Sequence, residues 1–523
     1  MTKDGVALTL DDVLSATSRE LATQHRLLPP RYDYAVLLGR PRDVATWLRP
    51  RLRRLEVGAR GDVVFAGKGW RGTRPLTTMS LQDAALYRAL CNRLVEALPA
   101  NLVHRLPMAE FRNSPLSVPD VTHISKTDVT AYYEYVDHET LSDELIGQTG
   151  DEPVVDRLIA LLGQVMGRRV GLPQVHQSSD VLGDAYIDPV RRRLRRRGYA
   201  VVTYSDDFRI ATRSLGEARR ALEACASEVR SLGLVLNERK TYTYEAEHYR
   251  NSLTSFTEAE KRLFDGTAGD GIDLTLLTDR YSDDATVEES TTLGLVPIEG
   301  SVDEDEVVSD VPQAASDEIS PERLSAAQRA FSLWASEDES EEVQSRQEAA
   351  ITQSLLSRAL PILGEGGDQQ MLDWIEAILR FEPGVTPQVS LYLESLAGWG
   401  TNERRAVRST LDGVVRSELL SDWQGIWIAY ASGFLRGSNA RRPHVEWLHE
   451  RAQHGPDALA AHAAAALGRI GRGDPNVLAG TVDRLGSVWR TLALWGLAQV
   501  DRSRALEAAD NQLDRILIES IGQ

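Results

Sequence analysis

The sequence predicts an α+β domain in its first half and an all-α domain in its second, joined by an acidic stretch. Three observations carry this reading. Short alternating apolar runs end in carboxylates at Asp128 and at Asp206-Asp207, the mark of half-buried strands and a tight hairpin. Residues 265–320 hold 16 acidic residues against one basic residue, Arg280. From Pro321 onward, apolar residues recur at helical spacing between Gly and Pro breakers. The expected divisions are 1–120, 121–264, 265–320 and 321–523.

Taken in order, residues 8–28 read as an amphipathic helix. Leu28-Pro29-Pro30-Arg31-Tyr32-Asp33-Tyr34 reads as a break and a loop. A basic segment with Arg49, Arg51, Arg53 and Arg54 follows, then strands over Asp62 to Thr78 with turns at Gly67, Gly69 and Gly72. Leu81 to Leu98 reads as a helix. His123 to Asp128 reads as a strand, followed by Val129-Thr130-Ala131-Tyr132-Tyr133. A helical stretch runs to Arg197 and ends in six arginines within Arg191–Arg197, which either track a polyanion or are solvated. Val201-Val202 and Phe208-x-Ile210 flank the Asp206-Asp207 turn as a hairpin. Leu215, Ala218, Leu222, Cys225, Val229 and Leu232 form the apolar stripe of a helix, which makes Cys225 a core thiol. The order is βαββαβ-like, an antiparallel layer under helices.

The acidic stretch buries too little to offset the entropy of ordering and reads as a flexible linker or insertion. Beyond it, nine amphipathic segments lie between breakers such as Gly364-Glu365-Gly366-Gly367, Pro383-Gly384 and Gly473-Asp474-Pro475. Their lengths suggest stacked helical pairs of the HEAT-like kind. Eight of the ten tryptophans lie there, at spacings more typical of core than of a binding face.

The formal charge of −18 is unevenly spread. Residues 1–250 hold 36 Lys and Arg against 32 Asp and Glu, so the first half is mildly basic and the acidity lies beyond it. No apolar run reaches the length of a membrane span, and the N-terminus lacks the pattern of a secretory signal. Two cysteines, Cys91 and Cys225, give no disulfide framework. A cytoplasmic location without membrane attachment is expected.

Adjacent carboxylates on a rigid turn repel unless a cation neutralises them. Hard oxygen ligands suit Mg²⁺, with Mn²⁺ as the alternative. A third carboxylate, Asp128, on a neighbouring strand would complete a site of the kind that clamps a phosphoryl transfer.

Four motifs stand in order: Asp128-x4-Tyr133; Gly171-Leu172-Pro173-Gln174 with Ser178 following; Tyr204-x-Asp206-Asp207-Phe208; and Gly233-Leu234-x-Leu236-Asn237-x-x-Lys240-Thr241. Over roughly residues 70–245 this order resembles the palm of bacterial reverse transcriptases. Fold expectations follow: fingers within 1–120, a palm at 121–264, and an all-α HEAT-like domain after it. The resemblance implies a reverse-transcriptase-type DNA polymerase, RNA-templated or template-independent, a nucleotidyltransferase of the RNA-directed DNA polymerase type. Asp128, Asp206 and Asp207 would be catalytic, and together with Val129 they would hold the metal. Arg74, favoured over Lys68 and Arg71, would bind nucleotide with Tyr133, Gln174 and Lys240. Tyr133 would exclude a ribose 2′-hydroxyl. The partners would be dNTPs and nucleic acid, as RNA template or DNA product; a homo-oligomer is compatible with this. Val175 departs from the family, which carries Gly there, and the departure bears on substrate or template preference.

A palm followed by a helical region is similar to the abortive-infection and defence-associated reverse transcriptases. Such enzymes can prime on a protein hydroxyl, for which Tyr32 and Tyr34 are the candidates and Tyr281 the rival. The alternatives are a degenerate scaffold that binds nucleic acid without polymerising, and a retron-like enzyme using a cognate RNA.

Overall fold

The computed structural model describes residues 8–25, 27–53, 60–68, 72–103, 105–253, 321–335, 346–437 and 439–521. The acidic stretch, Tyr281, Arg54 and Arg71 lie outside the described residues. The described chain groups into two compact units. One comprises Met1–Ala66, Thr73–Asn251 and Val414–Gln523, the other Gly67–Gly72 and Ser252–Gly413. The helical region expected as one domain over 321–523 is therefore divided at Val414.

In the first unit, α1 (Leu10–Ala22) starts at a capping box in which Thr9 Oγ1 accepts the Asp12 N–H and Asp12 accepts that of Thr9. It buries Val13, Ala16 and Leu21, packing on α3 (Pro41–Arg53) and α4 (Leu81–Val95). Between them, α2 spans Tyr32–Leu38. This corrects the loop expected at Tyr32 and Tyr34: Pro29 and Pro30 end one segment, and the next helix begins directly after Arg31. Strands β1 (Asp62–Lys68) and β2 (Gly72–Thr78) form a two-stranded sheet.

The second sheet places the site. Strands β3 (His123–Asp128), β4 (Ala200–Tyr204), β5 (Asp207–Thr212) and β6 (Tyr242–Glu245) lie in the order β4-β5-β3-β6, with every pair antiparallel. Directly opposed residues share a sheet face. Asp128 with Asp207 and Lys126 with Arg209 therefore line one face, and Thr127 with Phe208 and Ser125 with Ile210 the other. Hydroxyl pairs fasten β6, Ser125 to Thr243 at 3.0 Å and Thr127 to Thr241 at 2.7 Å.

Three helices intervene between β3 and β4: α7 (His138–Thr149), α8 (Glu152–Met166) and α9 (Gln177–Arg196), the short α5 (Ala100–Val103) and α6 (Met108–Asn113) having come before β3. Helix α9 packs beside β4, and α10 (Leu215–Ser231) covers β3 and β5. Ala218, Cys225 and Val229 are fully buried on α10 and Leu232 nearly so, whereas Leu215 at the first turn is exposed. Burial pushes the Cys225 thiol up to about 12, as expected of a core residue.

The C-terminal helices of this unit hold α2. Leu27 carbonyl accepts from the indoles of Trp423 at 2.6 Å and Trp427 at 3.3 Å. Tyr32 stacks on Trp495 and Tyr430, with ring centroids 4.7 and 5.8 Å apart. Arg31 donates to the Val488 carbonyl and pairs with the fully buried Asp33, whose carboxylate also accepts from Thr491. Two of these helices, Asp457–Ile470 and Arg490–Val500, touch backbone to backbone. A Cβ on Gly468 would stand 2.3 Å from the Gly496 carbonyl oxygen, so only glycine fits there.

In the second unit, helices Pro321–Ala335, Arg346–Glu365 and Thr386–Trp399 pack in succession. Tyr392 donates to the Asp368 carbonyl, and Phe331, Trp334 and Trp374 form an aromatic cluster. That these segments are helices agrees with the periodicity of the sequence.

Candidate active site

Two strands and one turn assemble the carboxylates. Asp128 ends β3, directly opposite Asp207, the first residue of β5. Ser205 and Asp206 form the two-residue turn between Tyr204 and Asp207. Ser205 has φ 52°, the positive value that a tight hairpin asks of its first turn residue and that serine adopts only under strain. The turn presents the Asp206 carboxylate to Asp128. Burial, then Asp128, then Asp207 push the Asp206 pKa well above the carboxylate range, although part of its surface meets solvent.

The two other carboxylates have cationic company. Lys240 Nζ lies 3.5 Å from Asp128 Oδ2, and the Asn237 amide donates to the same oxygen at 3.4 Å. Arg209, 2% exposed, is 3.5 Å from Asp207 Oδ1. Arg74 on β2 lies within electrostatic reach of Asp206, Tyr133 and Asp128, and burial pushes its pKa down. The structure thus brings Asp128, Asp206, Asp207, Arg74 and Lys240 to one place. Val129 follows at the start of a short bridge to Leu236, made by Thr130 N–H to the Val235 carbonyl and Asn237 N–H to the Asp128 carbonyl.

The Leu-Pro-Gln segment is fixed against the tyrosine turn. Leu172 N–H donates to the Tyr133 carbonyl at 2.7 Å and Gly171 N–H to that of Val136 at 2.8 Å. Gln174 donates to Glu134, which pairs with Arg168. Val175 has φ 60°, so the position where the family carries Gly is a left-handed one here, and the departure is first a matter of backbone strain. Val175→Gly is expected to stabilise the protein by up to about 1 kcal/mol, the left-handed cost less the extra entropy of glycine. Chemical denaturation measures this, and a loss of stability would mean that the valine side chain is worth more than its strain.

Other sequence readings come out differently. Tyr32 and Tyr34 sit in α2, and burial pushes the Tyr34 hydroxyl up to about 12. The arginine run is largely engaged within the domain: Arg191 with Asp188, Arg192 with Asp188 and Glu144, Arg193 and Arg197 with Glu228, and Arg195 with the Val201 carbonyl. Arg193, Arg195, Arg196 and Arg197 nonetheless stay exposed.

Four further residues stand at the site. Asp180 and Asp184, one turn apart on α9, and Arg105 surround the hairpin turn: Arg105 Nε meets Asp184 at 2.5 Å and its NH1 meets Asp180 at 3.6 Å. Asn237 was visible only as a motif letter. The i, i+4 spacing of the two aspartates was the available signal, but it did not show which face of α9 meets the turn.

The chemistry of the donors suits a hard divalent cation: oxygen ligands only, with the Asp206 carboxylate crowded by two others. Among the described residues no group of three or more His, Cys, Asp or Glu is placed to hold a metal ion, so fewer protein ligands would have to suffice. A cation there would complete its shell with water and substrate oxygens, as Mg²⁺ commonly does.

Residues 67–264 match the family model described as Reverse transcriptase (RNA-dependent DNA polymerase). Among solved structures, the chain resembles telomerase from Candida albicans in complex with a TWJ fragment of telomeric RNA. That match has 11% identity and a TM-score of 0.28, covering 73% of this chain and 67% of that one. No curated protein matches the chain. Among the described residues no helix is long and apolar enough to cross a membrane.

Proposed function

We propose that the chain is a reverse-transcriptase-type DNA polymerase that adds dNTPs to a nucleic-acid 3′-hydroxyl. The observation that carries this reading is the Asp206 carboxylate within electrostatic reach of Asp128 at a strained turn, with Arg74 and Lys240 beside them. Such a cluster is costly without a substrate and a cation to neutralise it.

In this reading Asp128 and Asp206 hold Mg²⁺ or Mn²⁺, with Asp207 and the Val129 carbonyl in support. When bound, the ion would neutralise charge on the reacting phosphate and activate the attacking hydroxyl. Arg74 and Lys240 supply positive charge to the triphosphate and the leaving pyrophosphate. Gln174, steadied by Glu134, contacts the nucleotide, and the Tyr133 ring occupies the space a ribose 2′-hydroxyl would need. Asp207, beside Arg209, stiffens the turn.

The proposed primer is a nucleic-acid end, because Tyr32 and Tyr34 belong to a packed helix. Purified full-length protein given primer, template, dNTPs and Mg²⁺ is expected to extend the added primer into DNA that separates from protein in denaturant. Product that stays attached through a tyrosine would overturn the priming arm. No incorporation on any template or primer would overturn the polymerase reading in favour of a nucleic-acid-binding scaffold.

A role in anti-phage defence and a HEAT-like character for the helices after Pro321 belong to the same proposal. They are supported by the order of a polymerase domain followed by helices. Plaque counts on cells carrying the wild type or Asp128→Asn test the defence setting, and equal protection by both would sink it.

A further inference from the structure

The hydroxyl of Tyr133 lies 2.7 Å from Asp180 Oδ1 and 2.9 Å from Ser205 Oγ. A phenol has one proton, and Asp180 offers only acceptors when ionised, so Tyr133 donates to Asp180 and Ser205 donates to Tyr133. Burial and the Asp180 carboxylate push the Tyr133 pKa well up, which keeps that proton in place. The other end of the residue is also fixed: Ala131 turns the chain with φ 49°, and the Tyr133 carbonyl accepts from Leu172. Tyr132 stands edge-on at 5.4 Å, anchored by its own hydroxyl to the Gly183 carbonyl.

Asp180 is in turn held in place. Arg105 donates to the Asp180 carbonyl at 2.9 Å, faces its carboxylate at 3.6 Å, and bonds Asp184 one turn on. The Ser205 backbone N–H bonds Asp184. Two carboxylates on one face of α9 thus grip the hairpin turn and the tyrosine together. The ring itself could be supplied by any aromatic residue, whereas this grip requires the hydroxyl.

We propose that Asp180 is a specificity-determining positioning residue: through the Tyr133 hydroxyl it holds that ring where it excludes a ribose 2′-hydroxyl. The inference rests on reading Tyr133 as the sugar gate. With the hydroxyl end released, the side chain regains rotamers that open the sugar space. Discrimination between sugars then falls even though the ring remains. Because Ser205 joins the same hydroxyl to the Asp206 turn, dNTP turnover falls too, by less than the discrimination.

The test compares kcat/KM for a dNTP and the matching rNTP on one primer–template, using full-length wild type, Tyr133→Ala, Tyr133→Phe, Asp180→Ala, Asp180→Asn and the Tyr133→Phe/Asp180→Ala pair. Tyr133→Ala is expected to relax discrimination most. Tyr133→Phe and Asp180→Ala should each lower it on the order of tenfold, the value of one hydrogen bond to a charged acceptor. Asp180→Asn, which keeps an acceptor oxygen, should lower it less. The double variant should match Tyr133→Phe, since that variant already lacks the bond to Asp180 together with the one to Ser205. If Tyr133→Ala relaxes discrimination but Tyr133→Phe and Asp180→Ala do not, Asp180 is structural only and the inference is overturned. Additive losses in the double variant overturn it as well. Should Asp180→Ala fail to fold, Tyr133→Phe and Asp180→Asn still decide the matter. An unchanged ratio in Tyr133→Ala would instead show that the gate reading itself has failed, and the inference with it.

Discussion

Asp206→Asn is expected to lower dNTP incorporation to background, a loss on the order of 10³-fold or more, because under the proposed function it replaces a charged oxygen ligand at the reacting centre by a neutral amide. The same variant is expected to melt at a higher temperature than the wild type when metal is absent. The sign follows from the raised Asp206 pKa. The folded state holds that proton more tightly than the unfolded state does, so the metal-free protein loses stability as pH rises from the ordinary carboxylate range through the raised value. Asparagine carries no charge to bury, and that pH dependence goes with it. Mg²⁺ should raise the melting temperature of the wild type and not of the variant. Activity retained by Asp206→Asn, or a melting temperature below that of the wild type without metal, would place the proton and the chemistry elsewhere.

Asp33→Ala is the second large effect, and it acts on the fold. Asp33 is fully buried, bonded by Arg31 and Thr491. Removing it leaves the Arg31 guanidinium, 14% exposed, between helices without its counter-charge. Breaking a buried pair from one side costs about 3–5 kcal/mol. The loss should appear as a lower midpoint in thermal or chemical unfolding. Because α2 is held by the C-terminal helices of its own unit, it should also expose Trp489 and Trp495, which a red-shifted tryptophan emission would report. A change within about 0.5 kcal/mol would mean that the pair contributes little to holding α2.

How much of this could be read from the chain follows from the range of each interaction. The hairpin at Asp206 and the strand at Asp128 are local, written in alternation and in turn residues, and the pairing register confirms that they meet. Pro29 and Pro30 break a helix, which predicts a loop at Tyr32 and Tyr34, yet a break also precedes a helix start. What orders α2 is its aromatic packing on Tyr430 and Trp495, some four hundred residues along the chain. No local pattern carries that. The division of the helical region at Val414 was hidden for the same reason: periodicity shows that a helix buries one face but not against what. The arginine run reads equally as a polyanion track or a solvated face, because its partners, Glu144 and Glu228, lie on other helices. Val175 was visible as a departure, but its meaning needed the positive φ.

Incorporation of labelled dNTP on a primed template, followed across a Mg²⁺ titration for the wild type and Asp128→Asn side by side, tests the central claim most directly. The account expects incorporation by the wild type to rise with Mg²⁺ to saturation and to stop on chelation, with Asp128→Asn at background throughout while its circular dichroism matches the wild type. Wild-type incorporation that persists under chelation, or equal incorporation by the two proteins, would contradict it.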